Sequence, residues 1–236
     1  MPLTDYYQLT SNQVTFTRQQ GSDFAKQIAD DFNPIHNTDA KRFCVPGDLL
    51  FSVILAHYGC AQKMEFFFTG MVTDEVILNL PPENTSLLIQ DDVDKEYLSI
   101  EKSGDQTSNE QLIDSLTKSY VAFSGQTFPH ILVPLMETQG VMLNPTRPMA
   151  MYKSMLIDLE HLDFTEVALE LDSERTRFDV NGKRGTICLA FKLISDGNVV
   201  GCGEKHMVVS GLQPYEESAM NGVIAEYETW KQDYHS

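Results

Sequence analysis

Eight consecutive residues, Leu49 to Ala56, are apolar except for Ser52, and they follow directly on Pro46-Gly47-Asp48. A surface helix would carry a polar stripe, and this run has none. It therefore predicts a helix buried along its length, which the rest of the fold must surround. Pro46 suits the first turn of such a helix. The free N–H groups at its start, with the helix dipole, are suited to stabilising an anionic oxygen, and Gly47 lets a substrate approach closely.

Just upstream stands Asp31-Phe32-Asn33-Pro34-Ile35-His36. Pro34 fixes its own φ and pushes Asn33 out of helical geometry, so a helix running up to Asp31 should stop there. Asp31 and His36 then flank a bend and can converge on one water, with one group taking a proton while the other orients or donates. The competing reading is a structural turn, or a relic of catalysis, because Asp and Asn before Pro are ordinary turn residues.

The stretch from about Asp23 to Gly59 resembles the MaoC-like, (R)-specific enoyl-CoA hydratase family of hotdog-fold proteins, on the run Asp31-x-Asn33-Pro34-x-His36 and the helix-start Gly47. The resemblance implies an α+β hotdog fold, an antiparallel sheet wrapped around a long central helix. It also implies that Asp31 and His36 activate water for addition to a trans-2-enoyl thioester while the Gly47 N–H polarises the carbonyl. Asn33 would hold the turn and, with Lys41, Arg42 and Ser52, is a candidate substrate contact; for Ser52 a bond to its own helix is the rival account. The reaction is hydration, or dehydration of the (R)-3-hydroxy product; a thioesterase and a non-catalytic acyl-thioester binding protein are the alternatives. Coenzyme A or an acyl carrier would enter as part of the substrate, with no separate cofactor, and the resemblance implies either a double-hotdog monomer or a homodimer. The chain departs from the family in having Pro46 where His is usual and Asp39 three residues after the motif histidine instead of two. Its segment between His36 and Gly47 is also shorter than is common.

With 236 residues the chain has room for one large domain or two ordinary ones. Its net charge of −17 argues against nucleic-acid binding, and it leaves Lys41-Arg42, Arg147 and Lys153 as candidates for a local basic patch toward an anionic thioester. No window reaches the run of about 18 apolar residues of a membrane span, and the start lacks signal-peptide features, so a cytoplasmic protein without membrane partners is expected. Cys44, Cys60, Cys188 and Cys202 are scattered, with no histidine at metal-ligand spacing. The expectation is reduced thiols, no structural metal, and Cys188 and Cys202 facing each other on adjacent strands.

Along the chain, a short strand near Val14 to Thr17 precedes a helix at 22–30 capped by Ser22, then the motif and the buried helix to about Tyr58. Strands are predicted at Met64 to Phe68, Glu75 to Leu80, Leu87 to Asp91 and Tyr97 to Glu101. The breaker-rich Ser103 to Asn109 is a candidate boundary. Beyond it Gln111 to Phe123 reads as helical or mixed, and Met149 to Leu162 as a helix on the spacing of Met151, Met155, Leu156 and Leu159. Long strands follow at Val167 to Phe178, Arg184 to Ile194 and Val199 to Val209, with hairpin turns at Asn181-Gly182 and Asp196-Gly197. After Tyr215 comes a short helix docked by Trp230. The order suggests a double hotdog, 1–105 with the motif and 106–236 without it. The rival is a single hotdog with a helical insertion between about 103 and 163.

Overall fold

The computed structural model describes residues 2–236. Its strands are β1 (Gln8–Thr10), β2 (Gln13–Thr15), β3 (Cys60–Phe68), β4 (Leu78–Asn79), β5 (Ser86–Gln90), β6 (Glu96–Thr107), β7 (Val141–Met142), β8 (Met149–Leu159), β9 (Ala168–Leu171), β10 (Arg177–Asn181), β11 (Arg184–Ser195), β12 (Asn198–Ser210) and β13 (Gln213–Pro214). The α-helices are α1 (Arg18–Asp23), α2 (Gly47–Tyr58), α3 (Glu110–Gly125), α4 (Leu132–Thr138) and α5 (Glu217–His235).

Eleven strands form one antiparallel sheet in the order β1-β2-β4-β5-β6-β3-β8-β12-β11-β10, with β9 also paired to β11. Two helices, α2 and α3, pack against it. In α2, nine of the twelve residues are buried, as the apolar run requires, and each large apolar side chain so covered contributes about 1.5–3 kcal/mol. Phe51 of α2 meets both Phe66 of β3 and Tyr120 of α3 edge-on. Tyr120 and Phe123 of α3 pack in turn on Phe191 of β11. Each helix thus has its own strands, and the two half-sheets join where β3 pairs with β8. This is an α+β hotdog arrangement, an antiparallel sheet packed around central helices.

The second central helix is Glu110–Gly125, not Met149 to Leu162. Asn109 caps α3 by accepting from the N–H groups of Gln111 and Leu112. Met149 to Leu159 is instead β8, in which Met155, Ile157 and Leu159 are buried at a spacing of two while Met151 is exposed. Methionine-rich apolar positions fit a period of 3.6 as readily as one of 2 over so short a window. Ser103 to Thr107 continues β6 and is not a break.

Other boundaries shift for local reasons. The first helix begins at Arg18 because Thr17 and Gln20 form a reciprocal capping box, so Ser22 lies inside it, and a wider turn over Phe24–Ile28 extends it. Of the strand expected over Glu75 to Leu80, only Leu78 and Asn79 pair. The expected long strand from Val167 divides into β9 and β10 because Asp172 turns the chain, its carbonyl accepting from Arg175 and Thr176. Cys188 stands opposite His206 and Cys202 opposite Lys192, so the two cysteines do not face each other. No helix among the described residues is long and apolar enough to cross a membrane.

α5 docks through tyrosine, not through Trp230, which is 38% exposed. The buried Tyr227 hydroxyl accepts from Phe32 N–H at 3.1 Å and donates to the Asp30 carbonyl at 3.3 Å. Phe32 sits against Tyr227, Tyr234 and His235, and Lys231 pairs with Asp30. The C-terminal helix therefore holds the segment that carries Asp31.

Candidate functional site

The Asp31–His36 bend is built by its own side chains. The wide helical turn ends at Asp30, whose φ of +53° swings the chain away from the helix axis. Asp31 Oδ1 accepts from Asn33 N–H at 2.9 Å, and Asn33 Oδ1 accepts from Ile35 N–H at 3.2 Å, two successive Asx turns around Pro34. One helical turn, Pro34–His36, then presents the imidazole.

His36 Nδ1 lies 2.6 Å from the Cys44 carbonyl oxygen. A carbonyl can only accept, so Nδ1 carries the proton and the neutral ring has its lone pair on Nε2. That nitrogen faces Asp31 Oδ2 at 3.8 Å. Two acceptors cannot bond each other, but one water, donating a proton to each, spans such a gap with ordinary hydrogen-bond lengths. The His36 side chain is 12% exposed and that of Asp31 32%, so the pair is sheltered but not sealed from solvent. Burial, and next the charge of Asp31, push the Tyr227 phenol upward, which keeps its hydroxyl neutral and available to the two backbone groups it bonds.

The Cys44 carbonyl ties the bend to the start of α2, three residues before Gly47. Gly47 is the first residue of that helix, as its sequence position implies, and a ring packs on it: a Cβ there would meet Tyr152 Cδ1 at 2.8 Å and Phe68 Cε1 at 3.4 Å. Asn33 is exposed and its side chain serves the turn. Lys41 and Arg42 are exposed, and among the described residues neither enters an ion pair. Ser52 is fully buried, its hydroxyl donating to the Asp48 carbonyl at 2.7 Å, so it bonds its own helix in the core.

A second constellation lies beside Gly47, and its members are too far apart along the chain for sequence spacing to join them. Asp48, Ser124 of α3 and Lys205 of β12 are all buried. Lys205 donates to Ser124 Oγ, which donates to Asp48 Oδ2 at 2.5 Å; Asp48 Oδ1 accepts no hydrogen bond among the described residues and stands 4.0 Å from the Lys205 ammonium. The ammonium also lies over the Tyr152 ring, 4.5 Å from its centroid, and the Tyr152 and Tyr120 hydroxyls bond each other. Burial first, and then charge that includes Asp48, holds both phenols well above their ordinary range. One sequence signal existed: Lys205 occupies an inward position of an alternating strand, between buried Gly203 and Met207.

The two constellations meet at the end of α3. A Cβ on Gly125, next to Ser124, would fall 1.5 Å from the Ala29 carbonyl oxygen, so only glycine lets the helix approach the segment that leads into Asp31.

Fold and site together define an α+β hotdog-type protein with a sheltered Asp/His pair near the start of a buried helix. The sequence matches the family described as "Protein of unknown function (DUF3581)" over residues 1–218, and the chain belongs to that family. α5 begins at Glu217, so nearly all of it lies beyond the matched span. No curated protein matches the sequence. Among solved structures the chain is similar to an acyl-CoA thioesterase II, TesB2, from Mycobacterium marinum, at 8% identity and a TM-score of 0.42, covering 92% of this chain and 100% of that one. It is also similar to the dehydratase domain of the CurJ module of curacin polyketide synthase, at 10% identity and a TM-score of 0.42, covering 88% and 94%. A MaoC-like dehydratase aligns at 10% identity and a TM-score of 0.38, covering 89% and 99%.

Proposed function

We propose that this protein processes an acyl thioester, and that the reaction is addition of water to a trans-2-enoyl thioester or its reversal. The observation that carries the reading is the His36 tautomer set by the Cys44 carbonyl, which turns the free Nε2 toward Asp31 across one water's width. In the forward direction Nε2 takes a proton from the water as its oxygen bonds C3 of the substrate. The alkene electron pair moves to the thioester oxygen, and the enolate then recovers a proton at C2 from the imidazolium. Asp31 orients the water and stabilises the imidazolium. A Gly47 N–H at the start of α2 is the donor assigned to the enolate oxygen. The motif-bearing half, 1–105, supplies all three groups, and 106–236 supplies packing across α3. Coenzyme A or an acyl carrier belongs to the substrate, and no step needs another cofactor.

Hydrolysis of the thioester is the second reading, and Asp48 favours it. This buried carboxylate next to Gly47 has one oxygen without a hydrogen-bond donor, so it offers a second place to direct water at an acyl carbon. One experiment separates the two. The full chain is given crotonyl- and longer enoyl-CoA while the enoyl absorbance and free thiol are followed together. Loss of absorbance without thiol supports hydration; thiol release supports hydrolysis. Binding without either change removes both.

A further inference from the structure

Cys188, Glu204 and His206 belong to neither constellation. Phe191 of β11 packs on α3 and Lys205 of β12 reaches Ser124, so odd-numbered residues in these stretches face the core. Alternation then puts Cys188, Glu204 and His206 together on the outer face. Register sets Cys188 directly across from His206 and places Glu204 two residues along the same strand. One ligand atom from each lies within 4.8 Å of the others, and His206 Nε2 is 2.9 Å from Glu204 Oε2.

We propose that Cys188, Glu204 and His206 form a site for a divalent zinc-class ion with one coordination position left open. A thiolate sulfur, an imidazole nitrogen and a carboxylate oxygen are the three donor types zinc takes, at about 2.0–2.3 Å. Tetrahedral placement at those lengths separates donors by roughly 3–4 Å, which small side-chain rotations supply from the present arrangement. Glu204 is already oriented to ligate, because its Oε1 accepts from Arg175 Nη2 at 2.8 Å, leaving Oε2 directed at His206. A carboxylate held from behind in this way is the usual support of a metal ligand. The group is also sheltered, with Cys188 at 3% exposure and the Glu204 side chain at 19%. On binding, the Cys188 thiol gives its proton to solvent and the sulfur's electron pair goes to the metal. The arrangement was hidden from sequence spacing because Cys188 and His206 come from different strands.

The test uses the full chain, stripped with a chelator and titrated with Zn²⁺ against a chromophoric competitor, and with Co²⁺ as a spectroscopic probe. One equivalent of Zn²⁺ should bind, and Co²⁺ should give a thiolate-to-metal charge-transfer band. Cys188→Ser should abolish the band, and His206→Ala should weaken Zn²⁺ binding at least 100-fold. Arg175→Ala should weaken it about 10-fold by freeing Glu204. Cys202→Ser, on the same face, should change neither readout. Circular dichroism of each variant verifies folding. Failure of the wild type to bind Zn²⁺, or a cobalt band that survives Cys188→Ser, overturns the proposal.

Discussion

Breaking the Lys205–Asp48 pair should destabilise the fold, and substituting the second partner as well should add little to that loss. Lys205→Met removes the ammonium and leaves Asp48 buried at 9% exposure, with the Ser124 hydroxyl as its remaining donor. At the observed 4.0 Å the gross attraction is about 4 kcal/mol for an effective dielectric constant near 20. Losing one member of a buried pair typically costs about 3–5 kcal/mol. For a chain of this length that is a fall in Tm of roughly 6–20 °C. Asp48→Asn alone should cost about 2–3 kcal/mol, since Lys205 then keeps only Ser124 and the Tyr152 ring. The double variant should lose no more than the Lys205→Met single, giving a coupling of about 2–3 kcal/mol in a urea-denaturation cycle. A coupling below about 0.5 kcal/mol would mean that the two side chains do not act as a pair, and the electrostatic account of this site would fall.

Three further outcomes follow from the geometry. Tyr227→Phe strands the buried Phe32 N–H and should cost about 1–3 kcal/mol by urea denaturation, whereas Trp230→Ala, at an exposed position, should cost well under 1 kcal/mol. Gly47→Ala drives a methyl into the Tyr152 ring and should cost about 1–3 kcal/mol while disturbing the tyrosine pair, seen as a changed near-UV circular dichroism. Burial pushes the Cys44 thiol to about 11 and the Cys60 thiol to about 12 from an ordinary 9.0. The folded state thus retains protons the unfolded chain has lost. That stabilisation is complete below about pH 9 and declines as pH climbs from there through the folded values, by at most about 1.4 kcal/mol per thiol per pH unit. Urea midpoints should fall between about pH 8.5 and 10.5, less steeply in Cys60→Ala; an equal slope in that variant contradicts the assignment.

What the sequence disclosed was what lies close together along it. The Leu49–Ala56 run has only one way to hide an unbroken apolar surface, and the Asp31–His36 bend is made by side chains two residues from the backbone groups they bond. The second central helix was obscured because Gln111 to Phe123 mixes charged and aromatic residues, while β8 has apolar residues that suit either period. Ser124 lies 76 residues from Asp48 and 81 from Lys205, and no spacing rule spans such distances. The docking of α5 depended on which of its aromatic residues faces the body: Tyr227 is buried at the interface and Trp230 lies toward solvent.

Whether Asp31 and His36 act together on one water is decided by single-turnover loss of enoyl absorbance from crotonyl-CoA. The comparison is of the wild-type chain with Asp31→Asn, His36→Ala and the double variant, each verified to be folded. Joint action requires turnover in the wild type, at least a 100-fold loss in either single variant, and little further loss in the double, because both groups serve one water. Wild-type rates in both His36→Ala and Asp31→Asn, or no turnover of any enoyl thioester by the wild type, would contradict it.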